Sequence, residues 1–291
     1  MIAAVHEFYA SPGRHTDLSR YDIDIAGVNE AVAIVQGLLV YDLVAKDLYG
    51  AELSSRQQAT VHERDAAALL DRACEIDARP VGSPREPGHR IGGRCNTYTL
   101  LTVALLRSAG IAARARCGFA TYFVPGYYED HWVAEYWNTV EQRWTMIDAQ
   151  LDPTWQQLIG MHSDTAIEVG PEQFLTAGHA WRSWRSGHLD AERCGLTSIP
   201  EHGAFWIAGN LRLDLAALNK VEMLPWDVWG LGWEPGAEPT EEMLAAFDSV
   251  AELTIDADAR FDDLRDRYET DESLRMNGTV FSVLLGAVQH V

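Results

Sequence analysis

The chain has 291 residues, 47% of them hydrophobic and 23% charged, with a formal net charge of -20. That length and balance fit a soluble globular protein with a sizeable core. An acidic surface repels phosphate backbones and anionic lipid, which argues against nucleic-acid and membrane-surface partners. Lysine occurs only at positions 46 and 220, so arginine supplies almost all the positive charge. The first residues carry no basic stretch followed by an apolar run, and no apolar stretch reaches the roughly 20 residues of a membrane-spanning helix. The expected location is the cytoplasm, where the four widely spaced cysteines would be reduced thiols.

In chain order, Val28, Ala31, Val32, Val35, Leu38, Leu39 and Leu43 recur at helical spacing, and predict a helix over 27–49 that stops at Gly50. Thr60 and Glu63 fit a capping box and predict a second helix start. Residues 79–93 are rich in Pro and Gly and read as a loop. From Cys95 to Ser108 an almost wholly apolar helix is expected, buried at the centre of a domain and stopped by Gly110.

Strands follow. Ala113, Ala115, Cys117 and Phe119 alternate with Arg114 and Arg116, and residues 131–137 and 143–148 are aromatic and β-branched. The polar residues 138–142 suit a hairpin connection. Beyond Pro153 the pattern turns helical and tryptophan-rich, with acidic amphipathic helices over 241–268. Helices, a central helix, antiparallel strands and more helices make an α+β arrangement. The expected organisation is one domain over 1–291: a helical part over 1–90, a catalytic core over 91–152 and a mostly helical extension over 153–291.

Cys95 opens the buried helix directly after Gly92, Gly93 and Arg94. The first N–H groups of a helix have no intrahelical partner and lie at the positive end of its dipole, so a thiolate or an oxyanion is stabilised there. The glycines allow a substrate backbone to approach. A thiol nucleophile needs a base, and the base an orienting group. His131 and Asp148 lie on the two strands of the predicted hairpin. With Trp137 opposite Arg143, His131 falls opposite residue 149, one place from Asp148, and a one-residue shift of register would make the two direct partners. An aspartate so placed holds the imidazole in one tautomer and stabilises the imidazolium.

The other candidates read more simply. Cys74 and Cys117 suit core positions, and Cys194 in its polar segment suits an exposed one. The spacing of His162, His179, His188, Cys194 and His202 matches no zinc pattern, so no metal is expected. Trp132 points to the opposite strand face from His131 and reads as core, or as a wall of the substrate cleft. Asp130, at the strand's opening, reads as a solvated charge, or as a second carboxylate near the site.

The run Gly93-Arg94-Cys95-Asn96-Thr97-Tyr98-Thr99-Leu100-Leu101, continuing to Leu106-Arg107-Ser108-Ala109-Gly110-Ile111, resembles the nucleophile helix of the transglutaminase-like superfamily. Asp130-His131-Trp132-Val133-Ala134-Glu135 and Trp144-Thr145-Met146-Ile147-Asp148-Ala149-Gln150 resemble its histidine and aspartate strands. The resemblance spans roughly 92–150. It implies a papain-like α+β core with the cysteine helix packed on an antiparallel sheet, and a Cys95-His131-Asp148 triad. It also implies acyl transfer or hydrolysis of an amide, peptide-like or small, through a thioester. Gly93, Asn96 and Trp132 are the expected substrate contacts. Many relatives have Pro in place of Ala112 and a different residue after the aspartate, and neither departure touches the three reactive side chains. Some relatives bind calcium, but residues 256–262 lack the central glycine and terminal glutamate of a calcium loop, so no cofactor is expected. Two alternatives are an inactive binding module on the same fold and an amide-forming acyltransferase of small-molecule biosynthesis.

Overall fold

The computed structural model describes residues 2–291, and these form two compact units, each discontinuous in sequence. The class is α+β, as expected from the order of elements.

The first unit comprises residues up to 115 and 132–169. Helix α1 (Ile2–Ala10) is followed by α2 (Val28–Leu38), which buries Ala31, Val32, Ile34, Val35 and Leu38. The predicted helix does not continue to Tyr49. At Leu39 the chain becomes extended and forms β1 (Leu39–Tyr41), because Ile91–Gly93 offers it a ladder partner. After α3 (Ala45–Tyr49), closed by the left-handed Gly50, and α4 (Ser55–Ala59), the predicted capping box at Thr60 is absent. Ser54 and Gln57 form one instead. Thr60 sits in a single tight turn, and its hydroxyl donates toward the carbonyls of Gln57 and Gly92, both at 2.6 Å. The next helix, α5 (Ala66–Ile76), starts at Asp65, whose carboxylate accepts from the Ala68 N–H.

The polar loop that follows is not loosely attached. Arg85 is buried inside it and donates to the carbonyls of Ser83, Asp77 and Arg79. The loop delivers β2 (Ile91–Gly93), parallel to β1, and then α6 (Cys95–Ser108). Every residue of α6 but Ser108 is buried, and the helix packs against α1, α2, α5 and β2. Gly110, with φ +72°, ends it as predicted.

Strand β3 (Ala113–Ala120) is buried along its whole length, arginines included. Arg114 pairs with Glu135 at 2.5 Å and lies over the Trp144 ring at 4.0 Å. The alternation was legible in the sequence, but both faces are covered, and buried partners satisfy the charge. Strands β4 (Tyr128–Asn138) and β5 (Arg143–Asp148) form the predicted hairpin. Asn138 Oδ1 accepts from the N–H groups of Val140 and Glu141 in its turn, and Gln142 takes φ +52°. The register differs by one from the expected one: Trp137 stands opposite Trp144, and Ala134 opposite Ile147. Helix α7 (Pro153–Ile159) is capped by Asp152, and β6 (Ile167–Glu168) pairs with the end of β5, setting Ile167 opposite Asp148.

The second unit comprises residues 116–131 and 170–291. In it β7 (Phe174–Thr176) pairs antiparallel with the end of β3, so closely that a Cβ on Gly118 would lie 2.2 Å from the Leu175 carbonyl oxygen. Helix α8 (Ala177–Arg185) follows. The short strand β8 (Cys194–Leu196) runs parallel to the start of β4, with Cys194 opposite Tyr128, and pairs on its other edge with β9 (Glu201–His202). Helix α9 (Ala204–Leu218) and, after β10 (Asp227–Val228), α10 (Glu241–Ile255) pack with α8 into a three-helix cluster, to which α11 (Phe261–Thr270) adds. Trp181 donates its indole N–H to Asp248 at 2.7 Å across this cluster. Strands β11 (Thr279–Ser282) and β12 (Ala287–His290), not foreseen in the sequence, complete a small sheet with β10. Arg116 is bidentate to Asp214 of α9, at 3.0 and 2.8 Å, and the same carboxylate accepts from the Cys117 N–H.

Among the described residues no helix is long and apolar enough to cross a membrane.

Candidate active site

Cys95 is the first residue of α6 and is buried, 8% exposed. Its position is held from both sides. The preceding residue, Arg94, has an extended backbone, and its N–H donates to the Thr97 hydroxyl at 3.1 Å, which anchors the helix start. The Arg94 guanidinium grips Asp42 with two bonds, 3.1 and 3.3 Å. Upstream, Gln57 donates its amide to the carbonyls of Gly88 and Arg90. The glycines are required by close packing: a Cβ on Gly92 would sit 2.7 Å from the Gln57 carbonyl oxygen, and one on Gly93 would sit 3.0 Å from the Leu39 side chain. Gly93, expected to face substrate, is buried against Leu39 and Thr97.

Asp148 closes β5 and is 2% exposed. Its Oδ1 accepts from the Gln150 N–H at 2.9 Å, a local turn that orients the carboxyl. Three buried polar atoms of residues close to Cys95, His131 and Asp148 in sequence have no hydrogen-bond partner among the described residues: Asn96 Oδ1, Trp132 Nε1 and Gln150 Oε1. Buried polar atoms are nearly always satisfied, so each of these could take a bond from a bound molecule. Asn96 follows Cys95, Trp132 follows His131, and Gln150 lies two residues after Asp148.

His131 is assigned to the second unit and is 2% exposed. Aromatic rings stand edge-on around its imidazole: Phe123 at 5.0 Å between centroids, Tyr122 at 6.0 Å and Phe174 at 6.4 Å. This setting was not anticipated, because Tyr122 and Phe123 lie in an irregular segment whose pattern marks no element. Asp130, expected in solvent, is buried at 8% exposure.

Of the sequence-predicted residues, Cys95, Gly93, Asn96, Trp132 and Asp148 fall in the first unit and His131 in the second. Sequence reasoning missed the residues that hold Cys95 in place. Asp42, Gln57 and Thr60 are distant in the chain, and no local signal identifies them.

Cys194 corrects an expectation. It is fully buried, not exposed, and burial, with the neighbouring Asp190 adding to it, pushes its thiol up to about 12. All four cysteines are free thiols.

Comparison with known proteins adds the following. No curated protein matches the chain. A solved crystal structure from Cytophaga hutchinsonii, described as a "Putative Cysteine Protease", is similar at 17% identity and a TM-score of 0.29, over 56% of this chain and 45% of that one. The chain therefore spans less than half of that protein's length. The family described as Transglutaminase-like superfamily matches residues 81–149, which contain Cys95, His131 and Asp148.

Proposed function

We propose that this protein is a cysteine-dependent hydrolase or acyltransferase acting on an amide, with Cys95 as nucleophile, His131 as base and Asp148 as the group that orients the imidazole. The observation that carries the reading is the seat of Cys95: a buried thiol on the first residue of a long helix, fixed by Arg94, Asp42 and Thr97. The family that matches residues 81–149 supports cysteine-based catalysis in general.

In the proposed reaction the Cys95 thiolate attacks the amide carbonyl carbon, and the carbonyl π electrons move to the oxygen. The backbone N–H groups that open α6 bind that oxyanion. As the tetrahedral intermediate collapses, the C–N bond breaks and the imidazolium of His131 gives its proton to the leaving amine, which leaves an acyl thioester on Cys95. His131 then removes a proton from water or from an acceptor amine, which attacks the thioester and releases the thiolate. Asn96 contacts the substrate through the Oδ1 it leaves unpaired. Water gives hydrolysis and an amine gives transfer. Hydrolysis is the favoured outcome, since water is always present.

The test is alkylation with iodoacetamide across pH, mapped by mass spectrometry. Cys95 is expected to label faster than Cys74, Cys117 and Cys194 at neutral pH, and His131→Ala to remove that advantage. Labelling of Cys95 no faster than of Cys194 would overturn the assignment. A panel of amides with and without added amines then separates hydrolysis from transfer.

A further inference from the structure

Asp130 immediately precedes His131 and has no part in the triad. It is buried, and its hydrogen-bond partner Asn210 lies in the same, second unit. Asn210 of α9 donates its amide to Asp130 Oδ1 at 2.6 Å and to the Gly118 carbonyl at 3.2 Å, so one side chain ties the start of β4 to β3. A buried carboxylate costs free energy that an amide would not, and an asparagine could accept the same Asn210 bond. A carboxyl here is thus a liability for stability unless its charge is used.

The charged and titratable groups around it are few. Glu129 and His131 are on its own strand. Cys194 of β8 stands opposite Tyr128. On α9, Asp214 is one turn beyond Asn210, and Arg116 of β3 already neutralises it. Arg212, between them, is spent on the carbonyls of Trp229 and Leu231. That leaves His131 as the group on which a charge at Asp130 acts most directly, since the imidazole stabilises the carboxylate in turn.

We propose that Asp130 is a positioning residue for His131: Asn210 holds its carboxyl, the carboxyl fixes the strand segment that carries the imidazole, and its negative charge favours the imidazolium. The proposal rests on the reading of His131 as the catalytic base.

The experiment is a histidine-ring NMR titration of the full chain, with His131→Asn assigning the signal among the ten histidines. Asp130→Asn keeps the acceptor and removes the charge. It is expected to lower the His131 midpoint by about one pH unit, the usual effect of deleting a close opposite charge. Asp130→Glu should restore at least half of that shift. A merely structural role would change the melting temperature and leave the midpoint in place. If Asp130→Asn does not fold, Asn210→Ala serves: with its donor gone the carboxyl protonates more readily, and the midpoint must move in the same direction. A midpoint that stays put in a folded variant, or that is absent in both proteins, overturns the proposal. The triad reading fails separately, if His131→Ala leaves the Cys95 alkylation rate unchanged.

Discussion

Two buried regions of this molecule treat a titratable side chain in different ways. At the start of α6 a thiol is placed at the positive end of a long helix, where Arg94, Asp42 and Thr97 fix the chain. Between β4 and β8, burial acts against charge. There the Cys194 thiol is pushed up to about 12 and the Asp130 carboxyl up to about 6, in each case chiefly by desolvation. Cys194 is the more deeply buried thiol, and its sulfur donates to the Asp190 carbonyl at 3.8 Å. Burial alone therefore does not make a cysteine reactive. The difference lies in what the backbone presents to the sulfur: the open end of a helix in one case, a carbonyl in the other.

The largest expected effect separates the two thiols. Cys95→Ala should lower turnover of any amide substrate by at least about 10³-fold, whereas Cys194→Ala should leave it within roughly twofold. Comparable losses in both variants would erase the contrast. Labelling rates give a second measure. In the native protein at pH 7, Cys95 should react about 100-fold faster than Cys194, and in concentrated urea the two should converge, because the suppression of Cys194 comes from burial. A Cys194 that labels equally slowly when unfolded would show that something other than desolvation protects it.

Asp130 sharpens the second region through pH. Its folded carboxyl titrates near 6 against an ordinary value of 3.8, so the fold favours the protonated form. The stability this contributes is complete below about pH 4 and is lost as pH rises through 6, a change of roughly 3 kcal/mol. Asp130→Asn should therefore raise the melting temperature at pH 7.5 and converge with the parent protein by pH 4. An unchanged difference across that range would contradict the burial argument.

The first region can be stressed by its packing. Gly92→Ala would press a Cβ against the Gln57 carbonyl oxygen and should cost about 1–3 kcal/mol, with slower Cys95 labelling. Thr97→Ala removes only the anchor on the Arg94 N–H. The expected loss is about 1 kcal/mol by thermal unfolding, the smallest effect of the series.

The sequence by itself determined a good deal. The apolar run after Cys95, stopped by Gly110, could only be a buried helix, because no face of it is polar enough for water. The polar residues 138–142 between two aromatic stretches could only be a hairpin turn. Order and spacing of Cys95, His131 and Asp148 carried the family. These are local signals, written in neighbouring residues.

Tertiary structure decided the rest. The helix expected over 27–49 breaks at Leu39 because a strand 50 residues on supplies hydrogen-bond partners, a choice that propensity cannot express. Arg114 and Arg116 alternate with apolar residues along β3, yet they too are buried, where Glu135 and Asp214 meet them. The hairpin register moved by one residue, which no composition of the turn announced. Cys194 and Asp130, in polar surroundings along the chain, are buried once β8 and α9 cover them. In each case the deciding partner is far away in sequence: burial and charge pairing depend on what the fold brings near, and a local pattern shows only what each residue could accept.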